Sequence, residues 1–169
     1  AIPIRLSTTE DLASAYWATG VRGRPVRPVS IVLERLIDDS AMHGGYFDLG
    51  SAAFDLTRIV TGQLDAYVDV GRRIVDEVPS TREAFLRVGM GSICTNFPYD
   101  VAAAALVVRE AGGVVTHADG RSLDDHPAIG SGPDEGLAVV AAASTALHAA
   151  ILGEVDRGMI RLAGSDLRD

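Results

Sequence analysis

Cysteine is almost absent: Cys94 stands alone among 169 residues. No internal disulfide is therefore possible, and a cysteine-rich zinc centre is excluded. Basic side chains are also in the minority, 15 against 23 acidic, for a net charge of −8. A protein that tracks phosphates along a nucleic acid needs a basic face, so no nucleic-acid partner is expected. No run reaches about 18 uninterrupted apolar residues, and no membrane-spanning helix is expected. The opening "AIPIRLSTTEDL" has neither an initiator Met nor a charged-then-apolar leader pattern, and it reads as cut from something longer. A lone cysteine without a leader suits a reducing cytoplasm.

What is present fits one globular domain. Apolar residues make up 47% and charged residues 22%, enough to bury a core over residues 1–169. "IPIRLS" and "SAYWATG" read as strands, "VRGRPVRPV" as a loop, and Ser30 as the cap of a helix that buries Leu33, Leu36 and Ile37. "GGYFDLG" is a short strand or extended turn. The segment "SAAFDLTRIVTGQ" has helical spacing and ends at Gly62, and "LDAYVDV" alternates as a strand with Asp69 near its end. Between Gly71 and Asn96 regularity is lost, apart from Ser80 and Glu83 in a capping-box pattern. "VVTHADG" is a strand and turn, Arg121–Gly136 a polar loop, "LAVVAAA" a buried strand, and Ser144 the cap of a last helix. Strands alternating with helices predict an α/β fold: a layered mixed or largely parallel sheet flanked by helices.

"NFPYDVAAAALVVREAGG", from Asn96 to Gly113, places a proline and an acid before an Ala-rich run that stops at two glycines. Pro98 suits a first helical turn because it lacks an amide hydrogen, and Asn96 is a plausible cap. Asp100 then falls where the positive end of the helix dipole favours a negative charge. Taken alone, this is an acid with a structural task.

Tyr99 to Gly113 resembles the C-terminal signature of the inositol monophosphatase family, magnesium-dependent and lithium-sensitive phosphatases. "GSAAFDLTRIVTGQLDAYVDVG" (Gly50–Gly71) resembles that family's helix and following strand, and "GGVVTHADGRSL" and "LAVVAAASTALHAAIL" resemble its closing segments. The resemblance implies the C-terminal domain of a metal-dependent phosphomonoesterase that acts on a small polyol or sugar phosphate. It implies that Asp100 is the catalytic Mg²⁺ ligand, that Gly50, Ser51 and Ala52 line the substrate ring, and that Asp69 hydrogen-bonds a substrate hydroxyl. For Asp69 a solvated strand-end acid remains an equal reading, and its place is usually a glutamate's. Homodimers are common in the family, and a half-enzyme leaves an apolar face exposed, so a homodimer is expected.

Two departures accompany the resemblance. The family's Asp-Pro-x-Asp-Gly-Thr/Ser loop is missing, and with it the N-terminal catalytic half, so the chain alone is expected to be inert. About two dozen residues, Arg72–Pro98, are inserted between Asp69 and Asp100, as a lid, a substrate-selecting wall or a passive surface excursion. A non-catalytic α/β interaction module is the alternative reading. His43, His117, His126 and His148 show no ligand spacing. Neither "GSGPDEG" nor "LGSAAF" matches a phosphate loop or a nucleophile elbow.

Overall fold

The structure, a computed structural model, describes residues 4–165. Five strands form one sheet: β1 (Tyr16–Thr19), β2 (Gly45–Phe47), β3 (Ala66–Val68), β4 (Val114–His117) and β5 (Val139–Ala142). Their order is β2-β1-β3-β5-β4. β1 pairs in parallel with β2 and β3, whereas β5 runs antiparallel to both β3 and β4. The sheet is thus mixed, with two parallel and two antiparallel pairings, the first of the two arrangements that the strand–helix alternation predicts.

Six helices cover it: α1 (Val26–Ser40), α2 (Ala52–Val60), α3 (Gly71–Glu77), α4 (Arg82–Val88), α5 (Pro98–Glu110) and α6 (Thr145–Ala163). Two apolar clusters show which helix lies on which face. Trp17, Ala66, Val68, Val140 and Ala142 pack with residues of α1, α3, α4 and α6. Ala18, Tyr67, Val139 and Ala141 pack with residues of α2 and α5. β3 lies inside the sheet with helices on both faces, so Ala66, Tyr67 and Val68 are all buried, and the in–out alternation expected of it is absent.

Several boundaries differ from the sequence reading. Ile2 lies outside the described residues, and residues 4–6 join no strand, although the Arg5 N–H donates to Val60 O at 3.0 Å. α1 begins inside the expected loop, at Val26. Pro25 precedes it and Pro28 occupies the first turn, where no amide donor is needed. Ser30 is therefore a residue of the helix and not its cap. α1 buries Val29, Val32, Leu33 and Leu36, and Ile37 only partly. Ser51 and Ser144 do cap α2 and α6, accepting from the Phe54 and Leu147 amides.

The Arg72–Pro98 stretch is neither a lid nor a passive excursion. It folds as α3, a 3-10 turn at Pro79–Thr81 and α4, and it sends Ile74, Val75, Val78 and Phe85 into the core. Ser80 lies within the 3-10 turn, and α4 has no side-chain cap, so the expected capping box does not form.

Candidate active-site cleft

The turn before α2 is built by its own residues. Asp48 Oδ1 accepts from the Gly50 N–H at 3.1 Å, and Gly50 takes φ +82°, a left-handed conformation that suits a residue without Cβ. Ser51 is then extended, and its hydroxyl accepts from the Phe54 N–H at 3.4 Å. This places Gly50, Ser51 and Ala52 together on the lining of a cleft of about 210 Å³. Arg22 and Arg24 reach the same cleft from the segment after β1, and Thr95 and Asn96 from the approach to α5. Its most buried lining residues are Tyr67 and Asp55, each 1% exposed. The starts of α2 and α5 therefore meet at one opening.

Asp69 is not a solvated acid. It is fully buried, and both oxygens are engaged by protein. Oδ1 accepts from the Gly71 N–H at 2.9 Å; Oδ2 meets Arg24 Nη2 at 2.7 Å and the Asn96 amide. Burial pushes its carboxyl above the usual carboxylate range, while the Arg24 guanidinium pulls it down. Asn96 also donates to the Tyr67 hydroxyl at 3.0 Å. Asp69 thus sets the lining groups Arg24 and Asn96 and acts on the cleft through them. This network also explains why Asn96 does not cap α5: its side chain is turned to Asp69, and Phe97 takes the cap position.

Asp100 opens α5, as its sequence position requires. Its Oδ2 accepts from the Phe97 N–H at 2.9 Å, satisfying one donor of the first turn. It is half-buried and lies four residues beyond Asn96, outside the cleft's own lining. Among the described residues no three His, Cys, Asp or Glu side chains converge where a metal ion could sit. One carboxylate with an oxygen already engaged does not make a magnesium site, which takes one or two carboxylates along with phosphate and water oxygens in near-octahedral array. The donors of this chain do not by themselves fit the ion.

A larger cavity of about 320 Å³ lies between α3 and the loop after β4. Its arginines are spent on acids: Arg72 on Asp76, Arg73 on Glu77 and Asp156, Arg121 on Asp119. The His117 and His126 rings meet there edge-on at 5.4 Å, a proximity that sequence spacing does not show. The sequence did not mark Arg24 and Asp55 as cleft residues, and it offered Asn96 only as a helix cap. Arg24 and Asn96 are recognisable only once folding brings them to Asp69. Asp55, an acid on the helix that starts at the cleft, carried a signal in its position.

The profile of the inositol monophosphatase family matches residues 2–159. The chain belongs to the inositol monophosphatase family. Among solved structures it is similar to an IMPase of Thermotoga maritima (19% identity, TM-score 0.61, 94% of this chain and 47% of that one). It is also similar to the extragenic suppressor protein suhB of Bartonella henselae (22% identity, TM-score 0.63, 92% and 47%). Both likenesses concern the fold. A curated relative, Nus factor SuhB of Pasteurella multocida (strain Pm70), is 28% identical over 120 residues, 69% of this chain and 35% of that protein. The chain thus spans half or less of the length of these relatives, and it corresponds to the C-terminal half of the family fold.

Proposed function

We propose that this chain is the polyol-holding part of a metal-dependent phosphomonoesterase that hydrolyses a small polyol or sugar phosphate, such as inositol monophosphate. The observation that supports this reading is the cleft at which the start of α2 (Gly50, Ser51, Ala52) faces the Thr95–Asn96 approach to α5, with Asp100 in that helix's first turn. The first amides of α2 have no partner within the helix, and the positive end of its dipole suits electronegative ligand oxygens. The buried Arg24–Asp69 pair fixes the orientation of Arg24 and Asn96. Asp100 offers one carboxylate oxygen to Mg²⁺, and the other ligands come from residues outside the described chain. When bound, the ion would polarise the phosphate and lower the pKa of a water.

Phosphate release from inositol 1-phosphate by the full-length protein in Mg²⁺ tests the reading. The wild type is expected to turn over, and Asp100→Asn to lose on the order of 100-fold or more, the scale of losing a group that stabilises transition-state charge. Full activity in Asp100→Asn would remove that residue from the site. The alternative of a non-catalytic interaction module draws support from the incomplete ligand set and from the half-exposed Tyr16, Phe47, Leu49 and Phe54 around β2 and α2. No turnover of any phosphate monoester by the full-length protein would favour it.

A further inference from the structure

Asp55 lies one turn into α2 and faces the cleft with almost none of its surface accessible. Its Oδ1 is buried and has no hydrogen-bond partner. A buried acceptor without a donor carries the desolvation penalty of the group uncompensated. Burial, and secondarily the charge of Asp48, push its carboxyl up to about 6.

No neighbouring donor bonds this oxygen. Arg58, one turn further along α2, bonds Gln63 and Thr57 through its terminal nitrogens, lies over the Phe54 ring at 4.5 Å, and leaves Nε without a partner. Arg24 is spent on Asp69, the Gly20 carbonyl and the Cys94 carbonyl. The Tyr67 hydroxyl accepts from the Asn96 amide, and its own hydrogen does not reach Asp55 Oδ1. The protein therefore holds a bare acceptor on the lining of a cleft whose other members, Ser51, Thr95 and Asn96, are suited to alcohols.

We propose that Asp55 is a specificity-determining residue of the cleft, accepting a hydrogen bond from one hydroxyl of the bound ligand and so selecting polyols that carry a hydroxyl at that depth. Arg22 and Arg24 line the same cleft as Asp48 and Asp55, so the lining charges balance and a neutral hydroxyl suits it as a donor. The inference rests on the reading of the cleft as a polyol site.

The test compares full-length wild type with Asp55→Asn and Asp55→Leu on two substrates, inositol 1-phosphate and p-nitrophenyl phosphate, which has no hydroxyl. The ratio of the two kcat/KM values is expected to fall about 10-fold or more in the variants, the scale of a lost hydrogen bond to a charged group. An equal fall for both substrates, or no fall, overturns the inference while leaving the phosphatase reading in place. Monodeoxy inositol phosphates need no variant. With the wild type, removal of one particular hydroxyl is expected to cost about the same 10-fold; if no hydroxyl matters, the inference fails. Should the wild type hydrolyse neither substrate, the phosphatase reading fails, and equilibrium dialysis of unphosphorylated inositol decides the inference alone. Binding by the wild type that Asp55→Asn weakens supports it; absent binding, or equal binding in both, overturns it.

Discussion

Asp69 and Asp55 are both buried acids beside one cleft, and their surroundings give them opposite behaviour. Asp69 has a guanidinium, a backbone amide and a side-chain amide; Asp55 has an oxygen with no partner. Removing one member of a buried pair strands the other charge, so Arg24→Met is expected to cost about 3–5 kcal/mol in urea unfolding. A loss below about 1 kcal/mol would mean that the pair is solvated. Asp55 should respond in the other direction. Its folded carboxyl titrates at about 6, above the ordinary 3.8, so the folded protein holds the proton more tightly. Stability from that group is therefore present at low pH and is lost as the pH rises from about 4 to about 6. Asp55→Asn is expected to stabilise the protein at pH 7, by at most about 3 kcal/mol, and to have no such advantage at pH 3.5. Thermal denaturation at the two pH values checks both the sign and the window. The sequence placed Asp69 at a strand end, but its pairing was not legible. Arg24 sits in a stretch rich in proline and glycine, 45 residues away, where nothing local marks a buried cation.

Among the elements, periodicity served best where a helix has one wet face and is long enough to show it. α2 was legible from its apolar spacing, α6 down to its serine cap, and α5 down to its proline and acid. α3 and α4 were not. Each has seven residues, a 3-10 turn joins them, and fewer than two full turns give too few apolar positions to establish a helical period. Their burial appears only in three dimensions: Ile74 and Phe85 have no exposed surface. Phe85→Ala is expected to cost about 3–5 kcal/mol in chemical denaturation, the range for an aromatic removed from a core. A loose lid would lose less than about 0.5 kcal/mol. Contact between α1 and α6 makes a further demand that a plain helical pattern does not display. A Cβ on Gly158 would lie 2.7 Å from Val32 Cα, so the two helices approach closely only because that residue is glycine. Gly158→Ala is expected to destabilise by about 1–3 kcal/mol, through overpacking that outweighs alanine's better helix propensity. An unchanged or raised midpoint would show that α1 and α6 can separate without cost.

At the scale of the whole molecule, the fold is that of the inositol monophosphatase family over half the length of its relatives, and among the described residues no complete metal site accompanies the cleft. Among the described residues no helix is long and apolar enough to cross a membrane. We propose that the full-length protein works as a homodimer; sedimentation showing a monomer at micromolar concentration would count against it. The division of labour is the central claim: this chain supplies Asp100 and the polyol cleft, and the remaining metal ligands lie outside it. Calorimetric titration with Mg²⁺, on the 169-residue chain and on the full-length protein, tests that division most directly. A single carboxylate at a helix N-terminus, whose dipole repels a cation, is a poor match for an ion that gives up its waters reluctantly. The chain alone is therefore expected to show no saturable Mg²⁺ binding, while the full-length protein binds the ion and loses that binding on Asp100→Ala. A saturable Mg²⁺ site in the chain alone, abolished by Asp100→Ala, would contradict the account.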